Sequence, residues 1–232
     1  MPRQPTYILV AIATVLLTGS FGGKAATAQE NKSLARGAPP ERGSSVCPPH
    51  RGSDRPRPTG RDATAAEKAA ALAMFQKSPT GRTIAGQFSI SMSQAAAKRQ
   101  NTTRQSYDPS HGNQVSFSTA DGRTYLWYPG NAVVLKGEWR ACEDRFGLTA
   151  RGETTMIPFG KVCFKFGPNT FNPVTGVKGD EWECAPASKW ESAFVEQRAG
   201  DVFGLAKRTT VPFVLPREKT TMEQLLSRMP KQ

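Results

Sequence analysis

Histidine is almost missing from this chain of 232 residues: only His50 and His111 occur. That leaves no material for a metal centre built on several imidazoles, or for catalysis that needs more than one histidine. The four cysteines, Cys47, Cys142, Cys163 and Cys184, include no close C-x-x-C pair, so neither a metal nor another cofactor is expected. No glycine-rich loop leads from a strand-like run into a helix-like one, which excludes that route to nucleotide binding. Between Glu67 and Asp108 there is no acidic residue, although six lysines and arginines stand there. Residues 29–62 lack aliphatic side chains beyond alanine, except Leu34 and Val46. Such a stretch cannot bury enough apolar surface to offset the entropy of ordering it.

What is present begins with an export signal. Residues 1–28 contain Arg3, the apolar run from Tyr7 to Leu17, and the small-residue site Ala26-Thr27-Ala28, the three parts of a secretory signal peptide. The apolar run is shorter than the ~20 residues of a spanning helix, so cleavage after Ala28 is expected, with no transmembrane segment left. Arg3 and Lys24 leave with it, lowering the formal charge from +12 to +10. The expected location is periplasmic or secreted, where disulfides persist. Four cysteines allow three pairings. Cys163 and Cys184 each sit in a short alternating run that reads as a strand, which favours their pairing and leaves Cys47 for Cys142. Residues 29–62, with six prolines and six arginines, read as a disordered, extended spacer. His50 lies in it and reads as a solvated side chain.

Residues 63–232 read as one domain, mainly β, a small antiparallel barrel or sandwich flanked by an N-terminal helix and a C-terminal amphipathic helix. Thr64 to Glu67 has the form of a capping box before an alanine-rich helix that Ser78-Pro79 stops. From Arg82 to Gln94 the pattern is ambiguous, with Ile84, Phe88, Ile90 and Met92 alternating as in a strand. Val115 and Phe117, the Asp121-Gly122 turn and the run Thr124 to Tyr128 predict a hairpin. Short strands are predicted at 132–136, 138–142, 154–157, 161–166, 181–184, 194–197 and 202–209. A second capping box, Thr220 to Glu223, precedes a helix with Met222, Leu225, Leu226 and Met229 on one face.

Gly137-Glu138-Trp139, the hairpins around it, Cys163-Phe164 and Trp182-Glu183-Cys184 resemble the small secreted, disulfide-containing lipocalin-like β-barrel proteins of bacterial envelopes, over residues 83 to 209. In lipocalins a G-x-W element lies on the first strand and its Trp closes one end of the barrel; here it follows at least three candidate strands. The resemblance implies a β-barrel fold class.

For function, the candidates are surfaces. The cations Arg82, Lys98, Arg99 and Arg104 lie in the stretch without acidic residues, beside Phe75, Phe88 and Tyr107, and suit an anionic envelope polymer. The polar loop 167–176 offers Asn169, Phe171 and Asn172 as binding residues. His111, in a turn-rich loop, has no obvious catalytic partner. The leading expectation is an exported, non-enzymatic envelope protein that binds a small apolar ligand inside the barrel or an anionic polymer on its basic stretch. Trp127, Trp139, Phe164, Phe166 and Trp182 are the expected core or pocket lining. A hydrolase of envelope polymers needs two convergent carboxyls, for which Asp180, Glu181, Glu183, Glu143 and Asp144 are available. A periplasmic inhibitor of a lytic enzyme is a further alternative. Nucleic acid is disfavoured by the export signal and the lack of a basic recognition helix; oligomeric state is not legible.

Overall fold

A computed structural model describes residues 46–50, 59–150 and 152–230. The expected signal segment and most of the expected spacer lie outside the described residues. Strand β1 (Arg61–Asp62) leads into helix α1 (Ala65–Phe75). Thr64 caps that helix: its hydroxyl accepts from the Glu67 amide, and the Glu67 carboxylate accepts from the Thr64 amide. Arg61 Nη1 donates to Glu67 Oε2 at 2.9 Å. That side-chain bond first, then those from Thr64, hold the Glu67 carboxyl at about 2, below its ordinary 4.5. Ser78-Pro79 both ends α1 and starts α2 (Pro79–Phe88), with Ser78 as cap and Pro79 at the first helical position. The alternation after Arg82 is therefore helical: Gly81, Ala85 and Phe88, at i, i+4 and i+7, form the buried face of α2. Ser91 and Gln94 box the start of α3 (Met92–Ala97).

Strands β2 (Thr102–Asp108), β3 (Gly112–Ser118), β4 (Arg123–Trp127), β5 (Leu135–Ala150) and β6 (Glu153–Phe166) follow as an antiparallel meander. β7 (Glu183–Pro186) pairs with β6; after α4 (Ala187–Ser192), β8 (Phe194–Ala199) pairs with β2. The chain is mainly β, and its sheet, in the order β1-β6-β5-β4-β3-β2-β8 with β7 also on β6, curls into a half-barrel. β1 and β7 divide one edge of β6, β1 at Thr155 and Met156, β7 from Lys161 to Phe164. Pro158 falls between them, where no partner on that edge needs its missing N–H.

The short strands read at 132–142 and 154–166 are thus two long ones, of 16 and 14 residues, that run through glycine. At Gly160 a Cβ would stand 2.6 Å from the backbone of Ser91, and the Gly160 amide donates to Ile90 O at 2.7 Å. The start of α3 therefore rests directly on β6. Gly160→Ala pushes it off and is expected to cost about 1–3 kcal/mol, read as a lowered urea midpoint; an unchanged midpoint would show that α3 yields freely.

Alternation along the strands sorts side chains onto two faces of the sheet. On the outer face Val115, Phe117, Tyr125 and Trp127 are buried under Phe203, Leu205, Leu215, Met222 and Leu225 of the C-terminal segment. Residues 202–209, read as a strand, instead fold around the 3-10 turn η1 (Leu205–Lys207). Asp201 accepts from the amides of Leu205 and Ala206, each at 2.8 Å, and Gly204 takes a left-handed φ of 66°, which turns Phe203 and Leu205 inward. Helix α5 (Met222–Ser227) closes the segment, boxed by Thr221 and Gln224, one residue later than Thr220 and Glu223. Buried polar groups complete the seam: Gln105 Nε2 donates to Thr220 O at 2.8 Å, Asn113 Nδ2 to Pro216 O at 3.0 Å, and Thr103 Oγ1 to Gly200 O at 2.6 Å.

The disulfides are Cys47–Cys142 and Cys163–Cys184, and they touch, with Cys142 Sγ 3.5 Å from Cys163 Sγ. Bridges from Val46 to Glu143 and from His50 to Trp182 lay residues 46–50 along the sheet. This part of the expected spacer is thus ordered by contacts far along the chain. His50, expected in solvent, is half-buried there, with Nδ1 2.8 Å from Pro48 O and Nε2 3.5 Å from Lys161 Nζ. No described helix is long and apolar enough to cross a membrane.

Candidate functional site

The concave face of the half-barrel receives the other half of each strand. β2 turns Arg104 and Ser106 inward, β3 turns Gln114 and Ser116, β4 turns Thr124 and Leu126, and β6 turns Phe164 and Phe166. At one end this face is filled: Ala95 of α3 and Ala187 of α4 pack on Trp139 and Val162, with Trp190 alongside. Trp139 Nε1 donates to Thr119 O at 2.9 Å, which ties the core to the β3–β4 turn. Beyond that plug the face is open and forms a groove. Two cavities, of about 320 and 270 Å³, adjoin along it and share Leu126, Phe164, Phe166, Asn172 and Glu183 as walls. Volumes of this size suit a small molecule.

The first cavity is governed by arginine. Arg99, just after α3, is buried with its guanidinium 5.1 Å from the Phe164 ring centre and 5.9 Å from that of Trp190. It is one of the cavity's walls, yet among the described residues its side chain has no hydrogen bond and no ion pair. Burial chiefly, and the neighbouring Arg104 guanidinium, lower its pKa to about 9 against the opposing pull of Glu191. It remains a cation at neutral pH. Arg104, equally buried, is fully engaged: Nη2 lies 2.9 Å from Glu191 Oε1, and Nη1 donates to Gln197 Oε1 at 3.1 Å and to Lys98 O at 3.2 Å. The second cavity lies under the loop 167–182. Leu126, Leu135, Phe164, Phe166 and Val177 make it largely apolar, and Glu181 and Glu183 bring acid to it.

The four cations singled out in the sequence therefore do not share one surface. Arg99 and Arg104 enter the groove. Lys98 is exposed, with Nζ 3.4 Å from Glu191, and Arg82, exposed on α2, donates from Nη1 to Gln76 O at 3.4 Å. The acidic stretch after Asp180 supplies the partner of two of them, Glu191. Of the loop residues, Phe171 and Asn172 line the second cavity and Asn169 does not. Asn172 organises the loop: its Oδ1 accepts from Val174 N at 3.0 Å and its Nδ2 donates to Glu183 Oε2 at 3.0 Å. Among the expected lining aromatics, Phe164 and Phe166 face the groove, Trp127 and Trp139 are core, and Trp182 stacks under Arg140, 4.3 Å away. His111 stands at the groove's rim with Nδ1 2.9 Å from the Tyr128 hydroxyl. Of the acidic candidates, Glu183 faces the groove, whereas Asp144 pairs with Lys161 at 2.5 Å and Glu143 with Arg145 at 3.6 Å. Sequence reasoning passed over Trp190 and Glu191; their signal was weak, since only packing brings α4 beside α3. Comparisons of the chain with family models, with curated proteins and with solved structures give no match.

Proposed function

We propose that this chain is an exported, non-enzymatic binding protein that holds a small anionic molecule in the concave face of its half-barrel. One observation carries the reading: Arg99, a buried cation on the groove wall without a hydrogen bond. Taking a guanidinium out of water is costly unless its N–H groups find acceptors. The described protein offers it two aromatic faces and no hydrogen-bond acceptor, with Glu191 acting on it only at a distance. Arg104 is neutralised by Glu191, so the anion's place is at Arg99. A carboxylate or phosphate fits the planar fork of donors. Two disulfides and the signal-like first 28 residues support export. The open, curled sheet leaves a groove of a size that suits a small ligand.

Titration calorimetry of 3-phenylpropionate against its primary amide tests the reading. The carboxylate is expected to bind at least tenfold more tightly, as the loss of a charge-assisted hydrogen bond implies. Equal affinity of acid and amide would remove Arg99 from ligand recognition.

A further inference from the structure

The groove also contains a charge of sign opposite to Arg99 that forms no ion pair among the described residues. Glu183 lies directly opposite Phe164 in the β6–β7 ladder, and paired positions place their side chains on one face. It is half-buried and lines both cavities. One carboxylate oxygen takes the Asn172 amide at 3.0 Å; the other has no hydrogen bond among the described residues, and Glu183 forms no ion pair there. Arg99 and Glu183 thus adjoin the same ring, Phe164, in one groove, neither of them in an ion pair among the described residues and neither paired with the other. Opposite charges sharing a partly desolvated groove attract strongly. They are held apart because Arg99 is anchored between Phe164 and Trp190, and Glu183 by the ladder and Asn172.

Resting on the anion-binding reading above, we infer that the ligand is a compact zwitterion, an α-amino acid with an apolar side chain. Its carboxylate meets Arg99, its ammonium meets the free oxygen of Glu183, and its side chain lies in the apolar cavity under the loop. The two adjoining cavities, about 320 and 270 Å³, together have room for the charged end and the apolar end of such a molecule. Lys189 at the rim adds positive charge on the Arg99 side, and Glu181 adds negative charge on the other.

Three probes with one skeleton separate the contributions: L-phenylalanine, 3-phenylpropionate and 2-phenylethylamine, titrated into the full chain by calorimetry. Phenylalanine is expected to bind at least tenfold more tightly than either singly charged probe. In Glu183→Gln that advantage is expected to disappear, with 3-phenylpropionate binding at least as tightly as to the natural chain, since a like charge leaves the groove. If 3-phenylpropionate binds as tightly as phenylalanine, or if the advantage survives Glu183→Gln, the zwitterion inference fails while the anion site stands. If no probe binds, both fall.

Discussion

Arg99→Met is expected to weaken ligand binding strongly and to leave the unliganded protein at least as stable as the natural one. The affinity for 3-phenylpropionate is expected to fall by about 100-fold, the weight of losing charge-assisted hydrogen bonds to a buried guanidinium. The stability half of the result separates a binding residue from a structural one. In the free protein the Arg99 side chain has no hydrogen bond among the described residues, and its burial opposes its charge, as its lowered pKa of about 9 shows. Methionine keeps a flexible apolar stem and makes favourable sulfur–aromatic contacts with rings such as Phe164 and Trp190. The lost cation–π contacts, at 5.1 and 5.9 Å, are worth about 0.5–2 kcal/mol, and relief of the buried charge offsets them. Urea denaturation of the two proteins without ligand checks this, beside the titration. A variant that binds normally, or one that loses more than about 2 kcal/mol, exceeding those contacts, would make Arg99 a structural stack. Binding residues that stabilise only the liganded state show this exchange of stability for function.

Replacing Cys47 and Cys142 together by alanine is expected to cost more stability than replacing Cys163 and Cys184. The first bridge spans 95 residues and the second 21. In the loop-closure account these correspond to about 4.7 and 3.4 kcal/mol. The larger loss has a local counterpart: the first bridge is the one covalent tie that holds residues 46–50 on the sheet beside their pairings to Glu143 and Trp182. Both cysteines of a pair must be changed at once, because Cys142 Sγ lies 3.5 Å from Cys163 Sγ. A lone Cys142 thiolate would be placed to exchange with the neighbouring disulfide. Urea midpoints and slopes for the two double variants decide the order; a smaller loss for the 47/142 variant would show that the residues before β1 contribute little to the fold.

The legible parts of the structure were those in which the chain's local chemistry and its final environment agree. The capping box at Thr64, the Asp121-Gly122 turn between Phe117 and Tyr125, and the apolar face of Met222, Leu225 and Leu226 are all short-range signals. β2 was not legible. Its residues Thr-Thr-Arg-Gln-Ser-Tyr-Asp show no apolar alternation, and it becomes a central strand because distant groups meet its polar side chains. Gln105 finds Thr220 O, 115 residues on, and Arg104 finds Glu191, 87 residues on. Residues 202–209 failed for the opposite reason: an apolar pattern suited to a strand was overruled by Asp201, whose carboxylate captures two amides. The long β5 and β6 were read as shorter pieces because Gly137, Pro158 and Gly160 look like breaks. In the fold Gly160 makes room for α3, and Pro158 falls in a gap between edge partners.

The same division holds for the site. Composition and spacing determined that this is a chain with few histidines, a mainly β domain, and a cationic stretch preceding an acidic one. They could not say that the cations part company, since a strand alternates its side chains only relative to neighbours that the sequence does not name. Strand β2 turned Arg104 into the groove and the seating of α3 on the sheet brought Arg99 to it, and the placement of α4 gave Arg104 a carboxylate in direct contact while leaving Arg99 without an ion pair. Whether a charge is a solvated surface group or a ligand's counter-charge depends on its burial and its partners, and those were decided by contacts that only tertiary structure creates.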